Sequence, residues 1–229
     1  MNFLPINMAD IEQRGWDELD VIIVSGDAYV DHPAWAAAIL GRFMEHNGYR
    51  VGIIAQPDWR SLDDIKRMGQ PRLFFAISGG NMDSMVNHYT ADKKKRYEDM
   101  YSPGGKTGLR PDRPTIVYSN LVRQAYPGVP IVIGGVEASL RRLAHYDYWS
   151  DKVRRSILED SKADLLVYGM GEFNLLEIAR GLKGGKDIAY LRKLRGTCYL
   201  STSMPRHALE MPSYEELVED GKAFARATR

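Results

Sequence analysis

Asp20-Val-Ile-Ile-Val-Ser-Gly26 carries four successive apolar residues, Val21 to Val24, closed by a small polar residue and a glycine. Four in a row without polar alternation predict a strand buried on both faces, the habit of a parallel sheet. Just downstream, DHPAWAAAILGRFMEHNG (residues 31–48) sets Ala36, Ile39, Leu40 and Phe43 at helical spacing. Asp31 is the expected cap of that helix, Pro33 sits in its first turn and Asn47-Gly48 supplies the stop. The alternation then repeats. YRVGIIA (49–55) reads as a second buried strand, RLFFAIS (72–78) as a third, VPIVIGG (129–135) as a fourth and ADLLVYGMGE (163–172) as a fifth. Ser61 and Asp64 form a Ser-x-x-Asp variant of the capping box before a short helix that stops at Gly69. FNLLEIARGL, after the fifth strand, reads as a helix stopped at Gly181. Strands alternating with helices predict right-handed crossovers and a doubly wound α/β domain. The expectation is a five-stranded parallel sheet in the flavodoxin-like order 2-1-3-4-5.

Two polar elaborations exceed such a minimal domain. Between Asp83 and Pro114 the chain is too long and too polar for one crossover, and SLRRLAHYDYWSDKVRRSILEDSKAD (139–164) follows the fourth strand. Loops of that length in compact domains are usually functional or disordered. After Lys186 the sheet pattern stops, which predicts an α/β domain over 1–186. Residues 187–229 then read as a linker with one strand-like piece (Thr197 to Ser201) and a final helix, SYEELVEDGKAFARATR. A helix still running at Arg229 is expected of a truncated protein or an excised domain.

Composition narrows the function classes. The 229 residues include 31 basic and 30 acidic ones, a net charge of +1, which excludes a strongly basic whole-chain nucleic-acid binder. Cys198 is the only cysteine, so no internal disulfide forms, and neither a Cys-ligated zinc site nor an iron–sulfur cluster can be built from this chain alone. MNFLPINMADIEQRGW is broken by Pro5 and charged by Asp10 and Glu12, unlike a signal peptide, and no run approaches the roughly 18 apolar residues of a membrane span. A cytoplasmic protein with no membrane partner is expected.

In open parallel sheets, ligands bind beyond the carboxyl ends of the strands. Four of the five strands end in glycine: Gly26, Gly79-Gly80, Gly134-Gly135 and Gly169-x-Gly171. Glycine there makes tight turns and also lets a ligand approach the backbone. The residues expected to line a ligand crevice are Ser25, Gly26, Asp27, Ser78, Gly79, Gly80, Asn81, Gly134, Gly135, Glu137, His145, Asp147, Gly169, Gly171 and Glu172; Glu172 also reads as a helix-start carboxylate. No Gly-x-Gly-x-x-Gly and no Walker A lysine is present, so the common dinucleotide and P-loop fingerprints fail. Seven Lys or Arg against four Asp or Glu lie between Asp92 and Arg113, and five against two between Arg141 and Arg155. Such runs are mostly solvated faces. Their alternative is anion or nucleic-acid binding by Lys93, Lys94, Lys95, Arg96, Arg141 and Arg142, with Tyr89, Tyr97, Tyr101, Tyr146, Tyr148 and Trp149 as stacking surfaces. The histidines (His32, His46, His88, His145, His207) show no metal spacing; His145 beside Asp147 and His32 beside Asp31 are the candidates for polar chemistry. Cys198 reads as a buried or incidental thiol. No catalytic residue and no metal ligand is assigned.

Long strings resemble the N-terminal region of the YgiQ family of radical S-adenosylmethionine (SAM) proteins. They are GWDELDVIIVSGDAYVDHPAW (15–35), GYRVGIIAQPDWR (48–60), ISGGNMDSMVNHYTADKKKR (77–96), PDRPTIVYSN (111–120), IVIGGVEASLRRLAHYDYWSDKVRRSILEDSKADLLVYGMGE (131–172) and MPSYEELVEDGKAFA (211–225). The resemblance implies a parallel α/β domain similar to the cobalamin-binding domains that precede many radical SAM cores. It also implies a core holding a [4Fe–4S] cluster and SAM. The Cys-x-x-x-Cys-x-x-Cys motif of that core is absent here, so this chain alone is not expected to be catalytic. The Asp-x-His-x-x-Gly motif that gives cobalamin an axial histidine is absent too, because Asp31 and His32 are adjacent and followed by Pro33; cobalamin would have to bind without that ligand. Three readings remain: an accessory domain whose partner is a radical SAM core, a free-standing small-molecule or flavin-type binding module, and a module that contacts RNA.

Overall fold

In the computed structural model, which describes residues 3–206 and 208–227, every apolar run named above becomes a strand. Elements follow in the order α1 (Met8–Gln13), β1 (Val21–Ser25), α2 (Ala36–His46), β2 (Val51–Ala55), α3 (Asp63–Lys66), β3 (Phe74–Ser78), α4 (Ser84–His88), α5 (Pro114–Ala125), β4 (Ile131–Gly134) and α6 (Gly135–Leu140). They continue as β5 (His145–Asp147), β6 (Lys152–Arg154), α7 (Ile157–Ser161), β7 (Leu165–Val167), α8 (Glu172–Lys183), α9 (Ile188–Leu191), β8 (Thr197–Cys198), α10 (Tyr214–Glu219) and α11 (Gly221–Ala227).

The main sheet has the order β2-β1-β3-β4-β7-β8. All pairs are parallel except β7 with β8. The expected count of five strands is therefore corrected to six, because Thr197-Cys198 returns antiparallel beside Val167 and Leu166. A separate two-stranded hairpin, β5–β6, is a further element that the sequence pattern did not reveal. At the opposite margin the peptide N–H of Ile53 on β2 donates to Pro5 O (2.8 Å), so the N-terminal segment lies along that strand.

Side chains alternate across a strand, and here both faces are apolar. Val21, Ile23, Val51, Ile53, Phe74, Ala76, Val132, Leu165 and Val167 face one layer, with α2, α8 and Leu191 of α9. Ile22, Val24, Ile54, Phe75, Ile77, Ile131, Ile133 and Leu166 face the other, with Ile11, Ile65, Tyr118, Val122, Ala138, Ile157 and Leu158 from the helices there. Each Val, Leu, Ile or Phe among them taken out of water stabilises by about 1.5–3 kcal/mol. That is why propensity mattered less than the unbroken apolar runs.

Several helix boundaries differ from expectation. The N-cap of α2 is Trp35, not Asp31; its free N–H at Ala36 is accepted by Asn81 Oδ1 (3.0 Å), and Asp31 pairs with Arg42. Ser61 and Asp64 form no reciprocal box: Ser61 Oγ accepts from Asp63 N, while Asp64 reaches back to Asp58 N. Helix α8 passes Gly181 and stops at Gly184, because a Cβ at Gly181 would sit 2.4 Å from Leu191, so that glycine serves close packing on α9 rather than termination. The single final helix is two, α10 and α11, broken at Asp220. Among the described residues no helix is long and apolar enough to cross a membrane.

Candidate functional site

The parallel register aligns Ser25 with Ser78 and Ser78 with Gly134, so the carboxyl ends of β1, β3 and β4 finish level. Beyond and below them, between α2 and α8, lies a cavity of about 390 Å³. Its floor is Ile23, Ala76, Val132 and Val167 from four strands; Ile39 and Leu40 of α2 and Leu175 of α8 are its walls. Gly134, Gly135, Gly169 and Gly171 expose main chain to it, joined by Ser78, Asn81 and Glu172. Gly135 has φ +81 and Gly169 φ +76, left-handed values that admit glycine most readily. The cavity is apolar in its depth and polar at the strand ends, the general form of a small-molecule site.

The other expected crevice residues are not on this cavity. Ser25, Gly26, Asp27, Gly79, Gly80 and Glu137 belong to a buried polar seam at the strand ends. A Cβ on Gly26 would lie 2.1 Å from Gly79 O, and one on Gly80 would strike the Asp27 carboxylate, so Gly26 serves backbone against backbone and Gly80 makes room for a buried side chain. Asp27 Oδ1 accepts from Arg110 Nη1 (2.8 Å), and Arg110 also grips Asp99 through Nη2 (2.7 Å) and Nε (3.0 Å). Burial pushes the Asp27 carboxyl above its ordinary value despite Arg110 and the Asn81 peptide N–H. Burial acts on Asp99 in the same sense, but Arg110, Asn87 and Ser102 hold that carboxyl below its ordinary value. Glu137, wholly buried, accepts from Ser84 N, Ser84 Oγ and Thr115 N, tying α6 to α4 and α5.

His145 and Asp147 sit on β5, away from the cavity. Asp147 accepts from Arg113 and Ser150, which outweigh burial and keep its carboxyl below the ordinary value. Burial pushes His145 down, and its Nδ1 lies 3.1 Å from Leu143 O. Arg141, expected to bind anions, is instead buried and paired with Asp83; charge alone in the sequence could not disclose a partner 58 positions away. Arg142 lies over the Tyr168 ring. Lys93, Lys94, Lys95 and Arg96 are exposed on the first elaboration. His32 accepts from Ala34 N through Nδ1, and Cys198 is half-buried on β8, with its thiol pushed up by burial. His207 lies outside the described residues. The sequence points neither to Arg110 nor to the α2 wall as parts of a site; the helical spacing of Ala36, Ile39, Leu40 and Phe43 is the available signal for the latter.

The profile of the Radical SAM N-terminal family matches residues 3–229. The chain belongs to the Radical SAM N-terminal family. A UPF0313 protein of Thermotoga neapolitana is 55% identical over 227 residues, covering 99% of this chain and 40% of the relative. A UPF0313 protein of Clostridium botulinum (strain 657 / Type Ba4) is 53% identical over 229 residues, with 36% of its length covered. The chain thus spans about two fifths of the length of the relatives it matches. Among solved structures it resembles the radical SAM methyltransferase TsrM from Kitasatospora setae with tryptophan substrate and a SAM analogue bound (TM-score 0.52, 18% identity, 80% of this chain and 28% of that one). A second TsrM structure, with cobalamin and a [4Fe–4S] cluster bound, superposes equally (TM-score 0.51). That likeness establishes the shared fold.

The residues of this chain do not fit a [4Fe–4S] cluster, which needs several thiolates where only Cys198 exists. Among the described residues no three His, Cys, Asp or Glu groups gather in a metal-binding arrangement. Among the described residues no imidazole borders the cavity, so they offer cobalamin no lower ligand there.

Proposed function

We propose that this domain is the accessory N-terminal part of a cytoplasmic YgiQ-type radical SAM enzyme, and that its crevice holds one apolar ring or tail of a cofactor or substrate. The radical chemistry belongs to a core in the part of the longer relatives that this chain does not cover, with residues 187–229 leading toward it. The carrying observation is the apolar cavity at the ends of the parallel strands, floored by Ile23, Ala76, Val132 and Val167. Met170 lines the cavity, and Met82, Val136 and Phe173, each next in sequence to a lining residue, are exposed apolar side chains on the segments after β3, β4 and β7. Exposed apolar surface of this kind is what a second domain covers. That favours the accessory reading over a free-standing module. When bound in its core, a [4Fe–4S] cluster supplies the electron that cleaves SAM. This chain's contribution is to bind, orient and keep water from the group placed in the slot, with the Gly134-Gly135 and Gly169–Gly171 main chain available to its polar end.

The test is Ile39→Trp in the full-length protein, which narrows the cavity from a wall position already open to solvent. Iron and sulfide content and thermal stability should stay at wild-type values. Formation of 5′-deoxyadenosine should fall by about tenfold or more, the scale of a misplaced reactant. Wild-type turnover in Ile39→Trp would remove the crevice from the reaction.

A further inference from the structure

The two elaborations meet on one face. Tyr148, on the β5–β6 hairpin turn, donates through its hydroxyl to Ala91 O (2.7 Å), and the Tyr89 and Trp149 rings lie 5.4 Å apart. Lys93 Nζ stands 4.8 Å from the Tyr148 ring centroid. Lys93 holds a left-handed φ of 60 at the tip of a turn closed by Thr90 N to Lys94 O (2.8 Å) and by an antiparallel bridge between Tyr89 and Lys95. Cations and aromatic rings that are some 55 residues apart in sequence therefore form one surface, fixed by contacts between the two segments.

Its charges have no acidic partner among the described residues, although Arg96 Nε donates to Val86 O and Tyr89 O and Lys93 Nζ to Trp149 O. Among the described residues, no carboxylate lies within ion-pair distance of Lys93, Lys94, Lys95, Arg96 or Lys152, although Arg110, Arg113, Arg141 and Arg154 close by in sequence are all paired. Asp92 and Glu98 in the turn segment and Asp151 in the hairpin turn, which accepts from the Tyr146 hydroxyl, are the acidic neighbours; against Lys93, Lys94, Lys95, Arg96 and Lys152 they leave an excess of positive charge on a nearly neutral chain. Beside the cations, the Tyr97 side chain is 100% exposed, and Tyr146 and Tyr148 are each 48% exposed.

We infer that this joined face docks single-stranded nucleic acid. Unpaired cations track the backbone, and free ring faces stack on splayed bases; these are the two parts of a single-strand surface. A duplex keeps its bases stacked on one another and offers such rings nothing. An anionic membrane is the poorer match, because the surface is built from a turn and a hairpin bearing phenol rings, without the long apolar helix face that lies in a bilayer interface. The inference is independent of the crevice.

The full-length protein is titrated with fluorescein-labelled 12-nucleotide oligo(U) and, separately, oligo(dT), reading anisotropy over about 50–200 mM salt. Binding is expected to weaken with a log–log salt slope of about 0.7 per phosphate contacted. K93E/K94E/K95E should weaken it by at least about tenfold and flatten the slope. Tyr146→Ala should weaken it about fivefold or more and leave the slope unchanged, which a purely electrostatic or structural role would not produce. Lys222→Glu, on α11, should change neither. Preference for oligo(U) over oligo(dT) identifies the source as RNA, and equal affinity identifies any single strand. No binding of either, wild-type binding by the triple variant, or capture by anionic phospholipid vesicles in place of both oligonucleotides would overturn the inference.

Discussion

Arg110→Met removes the cation that joins the first elaboration to the sheet. The Arg110 side chain is 0% exposed and lies between Asp27 and Asp99, whose side chains are 3% and 2% exposed. Without it, Asp27 retains the Asn81 N–H (2.6 Å) and Asp99 retains Ser102 Oγ (2.8 Å), but neither carboxylate keeps a counter-charge. Removing one partner of a buried ion pair costs about 3–5 kcal/mol, chiefly for the charge left behind. At roughly 2–4 °C per kcal/mol for a chain of this size, the melting temperature should drop by about 6–20 °C. Thermal unfolding at pH 7.5, followed by circular dichroism, measures it. Neutralising the stranded groups as well, in Asp27→Asn/Asp99→Asn/Arg110→Met, should recover at least half of the loss, because uncompensated charge rather than lost packing is the cause. The reasoning fails if Arg110→Met melts within about 2 °C of wild type, or if the triple variant is no better than the single one.

Gly26→Ala forces a methyl against the Gly79 carbonyl at 2.1 Å and toward the Pro114 ring; it should cost about 3 kcal/mol or more, seen as a lowered urea midpoint or loss of soluble protein. Asn81→Ala leaves Ala36 N without its acceptor and should destabilise by about 1 kcal/mol in urea, while changing ligand binding at the cavity mouth that Asn81 lines. For His145 the sign follows from burial: its folded-state pKa lies below the ordinary 6.5, so protons favour the unfolded chain. Stability is complete above about pH 6.5 and declines as pH falls through that value. Asp147, Arg141 and Arg154 surround the ring electrostatically. The melting temperature of His145→Gln should therefore vary less between pH 7.5 and 5.5 than that of wild type; equal variation would contradict the assignment.

The strands were readable because runs such as Val21–Val24 and Phe74–Ile77 face apolar layers on both sides, and burial on two faces writes itself directly into composition. Helix α5 was not, since PTIVYSNLVRQA mixes β-branched and polar residues and is held helical by Tyr118 and Val122 against the sheet rather than by propensity. The hairpin β5–β6 leaves no mark in the sequence for a related reason: three-residue strands with charged and aromatic residues carry no sustained alternation. In the crevice, the glycines after β4 and β7 were legible from their position at strand ends, and the cavity brings them together. Asp27, Glu137, Arg141 and Asp147 were legible as unusual but not as to purpose. Their partners, Arg110, Ser84, Asp83 and Arg113, lie 83, 53, 58 and 34 positions away, and local sequence holds no record of such pairings. What looked like a reactive perimeter is largely mortar.

Both margins of the main sheet are blunted. Beside β2 the extended N-terminal segment occupies the Ile53 amide, and beside β7 the two-residue β8 does the same service before the chain turns away. An open strand margin is a template that invites another chain to zip on, and this molecule presents little of one. Growth of the sheet by a neighbouring protein or by a second copy is therefore discouraged at either flank.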